Sequence, residues 1–115
     1  MYPLLLNVVL GLGVGPTVDL NKMTVGDAVS LHGQMVRASL DVGQPTYTQG
    51  GWTVAGCEVA NVERGVMLPG RWQVDQGDNV TVLGRLKVVT TPAAVVNGQN
   101  VPAMTSVVVV GVRVR

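Results

Sequence analysis

The sequence predicts an all-β domain, and three observations carry that prediction. Valine contributes 26 of the 115 residues and threonine 9, while isoleucine and phenylalanine are missing; branched side chains suit a pleated surface and are stiff in helices. Glycine and proline together supply 21 residues, enough for frequent turns. Apolar positions alternate along several segments, and no stretch shows a capped 3.6-residue repeat.

Length and charge narrow the function classes. The chain has the size of one domain, and with 47% apolar and 13% charged residues it is expected to fold rather than to stay disordered. Eight basic and seven acidic residues leave a formal charge of +1, so no long-range field draws in polyanions, and nucleic-acid binding would need a local patch. Cys57 is the single cysteine, which excludes an internal disulfide and a multi-cysteine metal site.

The chain opens with YPLLLNVVLGLGVG over Tyr2 to Gly15, an apolar run too short to cross a bilayer as a helix. No basic residue precedes it and no good small-residue cleavage site follows, so residues 1–20 read as an N-terminal strand or arm packed on the domain, with a signal or envelope-anchor remnant as the alternative. GDAVSLHGQM at Gly26 to Met35 is then echoed by GDNVTVLGRL at Gly77 to Leu86. In both copies Gly-Asp reads as a turn that launches alternating apolar positions, Val29, Leu31 and Met35 in one, Val80, Val82, Leu86 and Val88 in the other. Each copy is therefore expected to be a strand, with Gly33 and Gly84 marking a bulge or a sharp bend.

Between the copies, Gly51 to Ala60 reads as a strand, followed by a less regular one over Val66 to Val74 that Pro69 and Gly70 interrupt. Asn97-Gly98 is a two-residue hairpin signal. Ser106 to Val114 is a last strand, apolar on both parities through Val107 to Val110, as suits a buried position.

Five strands, with related Gly-Asp openings on the first and fourth and a long hairpin-like connection before the fifth, resemble the oligonucleotide/oligosaccharide-binding (OB) fold, a five-stranded, partly open Greek-key barrel. The resemblance covers about Gly26 to Arg113. It implies an OB-like barrel domain over residues 21–115, with the N-terminal strand or arm added to it, and first and fourth strands that are neighbours. It also implies a ligand face on strands two and three, flanked by the loops after strands one and four, here Ala38 to Gly50 and Thr91 to Met104.

On the second strand, Ala55, Cys57 and Val59 share one parity and Trp52, Val54 and Glu58 the other. An unpaired buried Glu58 would be costly, so the first set faces the barrel and Trp52 faces outward. Trp52, Trp72 and Tyr47 then offer stacking surfaces for bases or sugars, and Arg64 and Arg71 offer cations for phosphates; the competing reading has the two tryptophans covering the barrel ends. His32, Arg85 and Lys87, on the non-apolar parity of strands one and four, form a second, basic patch or simply a solvated sheet face.

No chemistry is expected of the chain. His32 is the single histidine and lacks ligand partners for a metal. No nucleophile-elbow or catalytic-cysteine signature surrounds Ser30, Ser39, Ser106 or Cys57. The glycine run at Gly11, Gly13 and Gly15 lacks dinucleotide-site spacing, so no cofactor is expected. Two functions follow: a non-catalytic OB-like binding module, nominally for single-stranded nucleic acid, or a structural protein that self-assembles or sits at the cell envelope through residues 2–15 and its strand edges. The compartment, cytoplasm or cell envelope, is left open.

Overall fold

The structure, a computed structural model, describes residues 15–114. The expectations for Tyr2 to Val14 therefore lie outside the described residues.

The chain builds a curled, half-barrel sheet of seven strands, all-β apart from one six-residue helix. In chain order the elements are β1 (Thr17–Asp19), α1 (Val25–Ser30), β2 (Met35–Asp41), β3 (Tyr47–Gln49), β4 (Trp52–Val59), β5 (Val62–Pro69), β6 (Asn79–Thr91), β7 (Ala94–Val96), β8 (Gln99–Val101) and β9 (Met104–Val114). The sheet order is β1-β2-β6-β9-β5-β4-β3, and β7 and β8 form a separate two-stranded ribbon. β5 pairs in parallel with β9 and β1 with β2; the other pairings are antiparallel. β2 and β4, four places apart in that order, nevertheless touch, which is the measure of the curl.

Alternation decides which side chains fill the curl. Val36, Ala38 and Leu40 on β2, Val80, Val82 and Leu86 on β6, Val107 and Val109 on β9, Val66 and Leu68 on β5, and Ala55 and Cys57 on β4 are all buried in one cluster. Each valine or leucine so placed contributes about 1.5–3 kcal/mol. Ala28 of α1 and Leu20, Met23, Val42 and Val74 from the connecting segments complete the cluster. The inward parity expected for β4 holds at Ala55 and Cys57 but not at Val59, which lies at the strand end and is exposed.

The two Gly-Asp copies part company. The second is β6, entered through a turn in which Gly77 has φ +97° and an Asp78 carboxylate oxygen accepts the Asp75 N–H at 2.9 Å. The first is not a strand: Val25–Ser30 is helical, and the strand begins only at Met35. The difference is local. Thr24 caps the helix by accepting the Asp27 N–H on its hydroxyl at 3.1 Å, and Asp27 sits in the first turn, where a negative charge is favoured. Copy two has three branched residues in a row, Val80-Thr81-Val82, where copy one has Val29-Ser30-Leu31, so only copy two carries a strong extended preference.

Gly33 accordingly lies in the turn after the helix, not in a strand. Gly84 does lie in a strand, but the pairing of β6 with β2 and β9 runs through it without a bulge. It stands directly opposite Gly111, and a Cβ on either would run into the other strand's backbone, at Val110 O for Gly84 and Leu83 O for Gly111. The third strand is β5, Val62–Pro69, ending at the proline rather than running on to Val74. The Asn97-Gly98 hairpin forms as expected, with φ of 53° and 78° at its two turn residues.

Candidate functional site: a glycine-floored groove and a projecting ribbon

The outward face of β4 and β5 is set by the same alternation that fills the core. Across the strands, Tyr47, Val54, Met67 and Val110 form one row, Gly56, Gly65 and Val108 the next, and Glu58, Glu63 and Ser106 the third. The middle row has no side chains over two strands. Gly56 and Gly65 face each other, and a Cβ would lie 2.8 Å from Arg64 O on the first and 2.9 Å from Ala55 O on the second, so the backbones approach closely. The result is a groove of about 370 Å³, walled by Val54, Met67, Val108 and Tyr47 and edged by Gln44 and Gln49 from the segment after β2. One end carries Glu58 directly opposite Glu63, two exposed like charges that disfavour a polyanion there.

Of the residues singled out by sequence, Tyr47 stands in this groove, 55% exposed. Trp52 is half-buried on the same outward parity, opposite Gln49 and Pro69. Arg71 is exposed beside Gly50 and Gly51, at the turn between β3 and β4. Trp72 lies apart, donating its indole N–H to Pro69 O at 2.7 Å and lining a separate hollow with Thr81 and Arg113.

Arg64 is placed elsewhere than the sequence reading expects. It is 6% exposed, on the core parity of β5 with Val66 and Leu68. Its Nη1 donates to Leu20 O at 2.8 Å and also to Met23 O, and its Nη2 donates to Val59 O at 3.4 Å. The guanidinium is thus committed to carbonyls and ties the segment after β1 to the sheet. Asn21 supports the same tie, exchanging hydrogen bonds with the backbone of Asp41 at 2.7 and 3.0 Å.

His32, Arg85 and Lys87 gather at the α1–β6 corner. His32 Nδ1 accepts the Val88 N–H at 3.0 Å, and Arg85 donates to Gly33 O at 2.9 Å, so two of the three hold the turn after α1 against β6. Among the described residues no group of three or more His, Cys, Asp or Glu is placed to hold a metal ion. Burial pushes the Cys57 thiol above its ordinary pKa; the Arg64 guanidinium opposes that shift, and the carboxylates of Asp41 and Asp19 add to it. The thiol therefore stays protonated and a poor nucleophile, taking a hydrogen bond from Asn21 Nδ2 at 3.2 Å.

The other prominent surface coincides with the Thr91 to Met104 connection, which the sequence reading places as a loop flanking a ligand face and not as an apolar contact arm. Residues 89–104, comprising the end of β6, the β7–β8 ribbon and the start of β9, are all exposed. Val95 is 70% exposed, and Val89 and Val96 are each 52% exposed. From Val88 to Val112 the chain has no charged residue at all, and that uncharged run was the available signal. A two-stranded ribbon on which none of the described residues packs is marginal in water, and exposed strand edges are ordinarily guarded by charges.

Among the described residues no helix is long and apolar enough to cross a membrane. Comparison with protein-family models, curated proteins and solved structures returns no match.

Proposed function

We propose that the chain is a non-catalytic structural module that self-associates, with the ribbon of residues 89–104 as its contact arm. One observation carries this reading: sixteen consecutive exposed residues without a charge, valine-rich on a ribbon that none of the other described residues covers. Ordering such a segment costs about 1–2 kcal/mol per residue in backbone entropy, which a partner surface would offset. In sedimentation velocity the full chain is expected to associate, and the double variant Val95→Asp, Val96→Asp to run as a folded monomer. A wild-type chain that stays monomeric at every concentration would overturn the reading.

A second reading, an OB-like ligand module, is favoured by strand order. Counting β2, β4, β5, β6 and β9 as strands one to five, the first pairs with the fourth and the fifth lies between the third and fourth, which suits a Greek-key barrel open between strands one and two. The groove then falls on strands two and three beside the loop after strand one. If single-stranded nucleic acid is the ligand, a labelled oligonucleotide binds at low ionic strength, and Tyr47→Ala removes about 1–3 kcal/mol of stacking. Absence of binding at low salt eliminates that ligand.

A further inference from the structure

We propose that the ribbon of one copy of this chain seats in the β4–β5 groove of the next, with Val95 or Val96 over the Gly56–Gly65 floor; the proposal rests on the self-association reading above and names the receiving surface. Four features support it. No residue of the ribbon lines the groove of its own chain, so among the described residues the two surfaces are separate and both open. They match in polarity: the groove walls are Val54, Met67 and Val108 edged by glutamine amides, and the ribbon offers Val95, Val96 and Val101 beside the amides of Asn97 and Gln99. The backbone edges match as well. Among the described residues β3 borders the groove and has a partner on one side only, as do β7 and β8, and each of the three is three residues long; pairing them gives partners to donors and acceptors at those edges. Finally, the paired glycines leave a trench into which a branched side chain fits against bare backbone, and the uncharged ribbon carries no group that the Glu58–Glu63 end would repel.

Because ribbon and groove are different patches of one chain, the contact is either exchanged reciprocally by two copies about a two-fold axis or propagated head-to-tail into a ring or an open filament. That geometry supplies the test, made on the full chain. Groove variants Val54→Glu and, separately, Met67→Glu change outward, half-buried positions, and circular dichroism confirms that they fold. Each is expected to weaken association by at least about thirtyfold, a loss of hot-spot size. The ribbon variant Val95→Asp, Val96→Asp is expected to do the same. Mixed in equal amounts, a groove variant and the ribbon variant share one intact ribbon and one intact groove, so sedimentation should show a heterodimer that grows no further. Groove variants that associate like wild type, or a mixture that stays monomeric, overturn the docking site while leaving ribbon-mediated association standing. A ribbon variant that associates like wild type overturns the self-association reading itself. Loss of association in Leu5→Asp, Val9→Asp with ribbon and groove intact would make the N-terminal run the occupant and overturn the proposal.

Discussion

Arg64→Ala is expected to destabilise the fold by about 3–5 kcal/mol, read as a drop in the urea midpoint, and to leave the segment from Leu20 to Met23 detached from the sheet. The guanidinium is bonded only to carbonyl oxygens, and two of those, at Leu20 and Met23, belong to the connection between β1 and α1. Removing it leaves buried acceptors without a donor, at about 1–3 kcal/mol for each, and opens a cavity beneath β5. Arg64→Met separates the two costs. Methionine refills much of the volume but donates nothing, so it should retain more than half of the alanine loss. A methionine variant as stable as wild type would show that Arg64 serves as packing alone. Faster amide exchange at Leu20 to Met23 in either variant would locate the damage in that segment.

Gly84→Ala should be comparably severe, at about 3 kcal/mol or more, because the added methyl meets backbone and not a side chain that can swing away. At Gly84 the obstacles are Val110 O and the Gly111 Cα, the latter 2.7 Å from the new carbon. Gly111→Ala presses on the same spot from the opposite strand. The two substitutions share one contact, so the double variant is expected to lose less than their sum, since the first has already forced β6 and β9 apart. Either single variant within about 0.5 kcal/mol of wild type would mean that the strands are not held this close.

Much of the architecture was legible because alternation is a direct record of which side of a strand is dry. β4 and β6 carry it plainly, β9 shows instead as a run apolar on both parities, and Asn97-Gly98 announces its turn by residue type. The first Gly-Asp copy misled because its alternation spans only Val29 and Leu31, while a threonine cap and a lone helical turn need no longer pattern than that. The true strand there, Met35–Asp41, alternates Val36, Ala38 and Leu40, and the resemblance between the copies drew attention away from it into what was read as a loop.

At the candidate sites the difficulty was charge. Arg64 shares its parity with Val66 and Leu68, so its burial was recoverable from the strand pattern, but an arginine beside Glu63 reads as surface until carbonyls are found around it. The groove escaped notice for the opposite reason: what defines it is a missing pair of side chains, and the facing of Gly56 by Gly65 depends on a register that no single strand reveals. Tyr47 was found because an aromatic near the expected ligand face is rare in a chain with 3% aromatics.

The place of β9 bears on how the molecule is made. Of the described strands it is synthesised after all the others, yet it sits mid-sheet, joined to β5 on one side and β6 on the other. Until the ribosome delivers it, those two have nothing between them and each shows a bare, unpaired strand edge to its surroundings. Sequence-distant pairing of this kind slows closure and lengthens the window for misassociation, so a nascent chain of this design would gain from a chaperone that shields those edges until β9 has emerged.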